Sequence, residues 1–138
     1  GISDRIFADV SVGVPIPEAQ WMLKDVDSIL ARLFGRLIDS LSAYKTETGS
    51  LLDKGVCVWM NDLANGPPHS ISNLPYVLAG SADGFLRTGA YVDAADTPHN
   101  KLLNTLATAV GLRKSNGSPV DDFGHSSLEG GLIDAMIA

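Results

Sequence analysis

LLDKGVCVWMNDLANGPPHSISNLPYVLAGSADGFLRTG, residues 51–89, decides how this chain is read. Two short apolar runs, Val56 to Met60 and Pro75 to Ala79, bracket a loop rich in Asn, Gly and Pro. Both runs are too short for helices, and the first is β-branched and aromatic, so they predict interior strands. Ligands in α/β sheets bind at strand ends, which makes Asn61, Asp62, Asn65 and His69 the first place to look for chemistry. Asp62 and His69 stand seven positions apart and can offer an oxygen and a nitrogen to one divalent metal. Carboxylate and imidazole suit zinc, and the neighbouring Asn carbonyls suit calcium. The competing use of the same residues is structural: Asn61 and Asp62 bond backbone N–H groups, and His69 is satisfied in place. Gly66-Pro67-Pro68 would hold His69 on a stiff, extended segment.

Upstream, GISDRIFADVSVGVPI mixes Gly and Pro with isolated hydrophobics, so residues 1–16 read as an extended lead-in. From Pro17 the pattern is helical. Pro17 suits a first turn, Glu18 the positive end of the dipole, and Leu23, Val26, Leu30, Leu33, Leu37, Leu41 and Tyr44 recur at spacings of three and four. Ile29, Phe34 and Ile38 widen the stripe, while Lys24, Asp27, Arg32, Arg36 and Asp39 lie mostly off it. The expectation is a long amphipathic helix lying across a larger hydrophobic surface and ended by Thr46 to Gly49.

Downstream, Thr97-Pro98 predicts a helix start with Thr97 as N-cap and Pro98 at the first helical position. Leu102, Leu103, Leu106, Ala109 and Val110 are its expected buried face, and Gly111 its stop. Residues 114–138 read as a loop-rich tail in which Leu128, Leu132, Ile133, Met136 and Ile137 form a short docking segment.

A chain of 138 residues with 45% hydrophobic side chains can bury a core of its own. Its formal charge of -6 repels phosphate backbones and anionic lipid, so nucleic acid and membrane surfaces are not expected partners. No apolar run approaches the ~20 residues of a membrane span, and no basic region followed by an apolar stretch opens the chain. The single cysteine, Cys57, excludes an internal disulfide framework and is expected to be a buried, inert thiol in the first strand. Gly80, Gly84 and Gly89 lack the spacing of a nucleotide fingerprint. Ser70 and Ser126 sit beside histidines in sequence without a nucleophile elbow. Asn116-Gly117-Ser118 matches a glycosylation acceptor and equally a common turn.

Several short motifs in order carry a resemblance: Gly49-Ser50-Leu51-Leu52-Asp53, the run Val56 to Met60, Asp62 to His69, Asn73-Leu74-Pro75, Leu78-Ala79-Gly80, Arg87-Thr88-Gly89, Pro98-His99-Asn100 and Asp122-Phe123-Gly124. Together they resemble the C-terminal third of a bacterial family of exported proteins of unknown function, itself similar to the alkaline phosphatase and sulfatase superfamily. The resemblance covers the chain from about Met22 onward. It implies an α/β fold, part of an α/β/α sandwich of alkaline-phosphatase-like type, so that residues 1–138 are either a single domain or the C-terminal part of a larger one. It also implies a periplasmic or extracellular location. Where the superfamily commonly has an Asp-His pair of metal ligands, this chain has Asp62-Leu63, and His125 stands where the family usually has an acid.

Two functions follow. One is the C-terminal part of a metal-dependent hydrolase of phosphate or sulfate esters, with Asp62 and His69 on zinc or calcium and the nucleophile supplied by a preceding region. Asn61, Asn65 and Arg87 would then contact substrate or order loops, since Arg87 can clasp an anion or tie down carbonyls. The alternative is a non-catalytic binding or assembly domain that keeps the fold without activity. In either case an incomplete sheet would expose an edge and an apolar face, so association with the rest of a parent protein or with a second copy is expected.

Overall fold

The computed structural model describes residues 17–64 and 69–138. The lead-in expected for residues 1–16, the stiff segment expected for 66–68 and the candidate Asn65 lie outside them. The fold is mixed α/β. Helix α1 (Pro17–Ala43) leads into a hairpin of strands β1 (Lys45–Thr46) and β2 (Gly49–Ser50), and one turn of helix follows, α2 (Leu51–Lys54). Strands β3 (Cys57–Met60) and β4 (Tyr76–Ala79) form a second two-stranded sheet. Helix α3 (His99–Ala109) and a closing 3-10 turn (Asp134–Met136) complete the order. The described parts fall into two compact units, one holding α1 through Ser40 with Val58–Val77, the other holding Leu41–Cys57 with Leu78–Ala138.

In the first unit α1 packs through Phe34, whose ring lies 5.9 Å from that of Trp59 on β3 at a tilt of 44°. Phe34, Gly35 and Ile38 are half-buried. The remaining apolar stripe corrects the expectation of a covered helix. Met22, Leu23, Val26, Ile29, Leu30, Leu33 and Leu37 are 42–55% exposed, and Ala19 alone is buried among the described residues of α1. Hydrophobic spacing specifies which side chains share a face, not what that face meets. Cys57, expected to be buried, is half-buried.

The second unit starts from a capping box. β1 and β2 pair in antiparallel register, Lys45 opposite Ser50 and Thr46 opposite Gly49. Ser50 then caps α2: the Asp53 carboxylate accepts from the Ser50 backbone N–H at 2.7 Å and its hydroxyl at 2.8 Å, while Asp53 N–H donates to the Ser50 hydroxyl at 3.3 Å. Gly49 is required here, because a Cβ on its φ +132° backbone would lie 2.9 Å from the Asp53 carboxylate.

α2 in turn holds a tight left-handed turn. Ala82, Asp83 and Gly84 all have positive φ, a conformation costly for the first two. It is over-determined by Ala82 N–H to Gly55 C=O at 3.0 Å, Asp83 N–H to Asp53 C=O at 2.6 Å and the Lys54–Asp83 ion pair at 2.6 Å. Gly80 lies against the same backbone, where a Cβ would fall 2.3 Å from the Gly55 carbonyl oxygen. Past the turn, Leu86 bridges Ile137 and Ala138 N–H donates to Phe85 C=O at 3.0 Å, so the chain end docks as the apolar tail residues suggested.

α3 ends as expected and starts differently. Gly111, at φ +91°, donates to Thr108 C=O, and Leu112 to Ala107 C=O, a Schellman stop. At the other end Pro98 itself is the N-cap, with extended ψ of 140° and no side-chain bond, while Thr97 N–H closes a preceding turn on Ala94 C=O. Thr97 therefore sits one position too early to cap.

The two Ser50 hydrogen bonds, backbone first, hold the Asp53 carboxyl below its ordinary value of 3.8, with Lys45 and Lys54 adding to the effect. A lowered carboxyl stabilises the fold above its unfolded pKa, and that contribution fades as pH falls through the folded one. Urea unfolding of Asp53→Asn against the parent is thus expected to show a stability gap near neutral pH that closes on acidification below 3.8.

Candidate functional site

The loop after β3 places the sequence-derived candidates as follows. Asn61 and Asp62 leave β3 exposed, and His69 is exposed with a left-handed backbone at φ 50°. The loop is drawn together at its base by Ala64 N–H donating to Ser70 C=O at 2.8 Å. Among the described residues no three His, Cys, Asp or Glu side chains come together as metal ligands. Structural zinc takes four protein ligands and catalytic zinc three, and calcium takes six to eight oxygens. Asp62 and His69 by themselves therefore do not fit a zinc or calcium centre.

Arg87 belongs to the other unit. Its guanidinium donates to Ile137 C=O at 3.2 Å and its backbone N–H to Met136 C=O at 2.8 Å. It ties the chain end to the segment after the left-handed turn. His99 lies exposed in the first turn of α3, and His125 accepts from Ser127 N–H at 3.2 Å in a local turn. Asn116 Oδ1 accepts from both the backbone and the hydroxyl of Ser118, so Asn116-Gly117-Ser118 is a turn.

A hydrogen-bonded constellation that sequence reasoning missed lies on α3. The buried face of α3 is polar: Asn100, Asn104 and Thr108 form one stripe at i, i+4 and i+8, flanked by Thr105 and Leu102. Asn104 and Thr105 are 0% exposed. Of the leucines expected inside, Leu102 is buried, Leu103 and Leu106 are half-buried, and Val110 is exposed. The stripe serves the backbone of the tail. Asn104 donates to Gly131 C=O and accepts from Phe123 N–H, both at 3.0 Å. Thr105 accepts from Ile133 N–H at 2.9 Å while donating to Lys101 C=O at 2.7 Å. Asn100 donates to Glu129 C=O at 3.0 Å and Thr108 to Val120 C=O at 3.3 Å.

The tail closes on itself as well, through Gly131 N–H to Asp121 C=O at 2.7 Å. Lys114 clasps Asp121 and Asp122, and those two carboxylates, Asp121 first, raise its pKa. A polar i, i+4, i+8 stripe on a helix followed by a Gly- and Ser-rich tail is the signal that could have revealed this arrangement.

Among the described residues, the exposed ends of the loop at Asp62 and His69 and the apolar face of α1 are two surfaces open to function. Comparison of the chain with protein-family models, with curated proteins and with solved structures finds no match.

Thr105→Val keeps the shape of a fully buried side chain and deprives the Ile133 N–H of its acceptor. Chemical denaturation is expected to show a loss of about 1–3 kcal/mol. A cost under ~0.5 kcal/mol, usual for surface changes, would contradict the clamp.

Proposed function

We propose that this chain is a non-catalytic assembly module in which a hydrogen-bonded scaffold presents the apolar face of α1 to a protein partner. The observation that supports it is the exposed stripe from Met22 to Leu37. Contiguous apolar surface of this kind, rimmed by charge, marks protein interaction sites on soluble domains. The stripe lies on a helix of 27 residues, long enough for several turns of side-by-side packing. Its packing side begins at Phe34, on the margin of the stripe against Trp59, while Leu30, Leu33 and Leu37 beside it stay exposed for a partner.

An environment-sensitive apolar dye tests this reading. Leu30→Lys with Leu33→Lys is expected to abolish dye binding to the monomer, or self-association where that occurs, while helix content by circular dichroism stays unchanged. Absence of both in the parent chain would mean that the face is covered from within, and the reading would fail.

The second reading is the one the motif resemblance implies: part of an alkaline-phosphatase-like α/β/α sandwich, exported, and belonging to a metal-dependent phosphate or sulfate ester hydrolase. On its side stand Asp62 and His69, both exposed on one loop of one unit. Since they do not complete a metal centre, further ligands would have to come from another chain or segment. Elemental analysis by mass spectrometry separates the two. The assembly reading expects no stoichiometric zinc or calcium in the purified chain; metal present in the parent and lost in Asp62→Ala with His69→Ala would favour the hydrolase.

A further inference from the structure

We infer that the partner of α1 is a second copy of the same chain, docked antiparallel about a two-fold axis passing between residues 31 and 32; this rests on the assembly reading above. The spacing of the exposed side chains is that of a coiled-coil seam. Leu23, Leu30 and Leu37 recur every seven residues, and Val26, Leu33 and Ser40 follow each by three. In an antiparallel pair each member of the first set faces one of the second. One register satisfies all of them at once: Leu30 against Leu33, Leu37 against Val26, and Leu23 against Ser40, each pair twice by symmetry.

Ser40 does not spoil the seam, because its hydroxyl already donates to Arg36 C=O at 2.8 Å. It therefore enters an apolar layer without losing a partner. The half-buried Phe34 borders the seam, four positions after Leu30 and three before Leu37, with Ile38 and Gly35 further round, so contact with the helix's own unit stops at the seam's edge and leaves Leu30, Leu33 and Leu37 exposed.

Charge selects the orientation. The N-terminal half of α1 carries Glu18, Asp25 and Asp27 against Lys24, net -2, and the C-terminal half Arg32 and Arg36 against Asp39, net +1. Antiparallel docking lays the acidic half of each copy along the basic half of the other and opposes the two helix dipoles. Parallel docking sets like against like in both halves.

The test is pulsed electron paramagnetic resonance on the full chain, with one spin label at Gln20→Cys in a Cys57→Ser background, together with light scattering. The antiparallel dimer is expected to have twice the 14.5 kDa chain mass. Its label-to-label distance should centre near ~35 Å, from the 1.5 Å rise over the residues separating position 20 from its mate. A dimer with labels within ~20 Å would indicate parallel helices; it would overturn this inference and leave the assembly reading standing. A monomer that still binds dye at the α1 face would overturn it too, pointing to a different partner. A monomer without dye binding would remove both. Because the seam residues are exposed in the single chain, Leu30→Lys with Leu33→Lys is expected to give a folded monomer, and persistence of the dimer in that variant would place its interface elsewhere.

Discussion

The structure of residues 78–138 depends on four polar side chains of α3 supplying hydrogen bonds to a backbone that has no regular structure of its own. The tail from Val120 to Ile133 forms neither helix nor strand, so its N–H and C=O groups need partners from elsewhere once they leave water. Asn100, Asn104, Thr105 and Thr108 provide them. A helix usually docks by burying leucines. Here its most deeply buried side chains are an asparagine and two threonines, and the leucines take the margins. Directional bonds fix the path of the tail where apolar contact alone would permit several.

The same economy of small contacts runs through the other end of that unit. A four-residue helix is too short to persist by propensity. α2 exists because Ser50 and Asp53 cap it reciprocally, and because the carbonyls of Asp53 and of its C-cap Gly55 receive the N–H groups of the left-handed turn at Asp83 and Ala82. Gly49 and Gly80 are the two places where even a methyl group would collide with this arrangement. α1 is the opposite case: long, regular and apolar on a face that its own unit leaves uncovered.

How much of this was legible in the sequence follows from what each signal encodes. The 3.6-residue period gave α1 and α3 their extent, and the short β-branched and aromatic runs gave β3 and β4 to within a residue. Gly111 stopped α3 through the Schellman geometry its type permits. Burial was less legible, because a hydrophobic stripe says which residues share a face and not what covers it. Leu30 and Leu33 looked internal and are exposed; Asn104, outside the expected buried face of leucines, is fully enclosed. The polar stripe escaped because its partners are backbone groups of a tail that carries no period at all. Among the candidate site residues, Asp62 and His69 were recognisable as ligand types, but whether other ligands converge on them is a property of tertiary structure. Arg87 joins a carbonyl at the chain end, a contact 50 positions away that no local pattern announces.

The clamp of α3 on the tail is tested most directly by amide hydrogen exchange at Phe123 and Ile133, whose N–H groups donate to Asn104 and Thr105. Both amides are expected to exchange as slowly as those in the middle of α3, opening only when the helix opens. Exchange at the rate of an unstructured chain, with α3 itself protected, would contradict the clamp and leave the order of the tail without a cause.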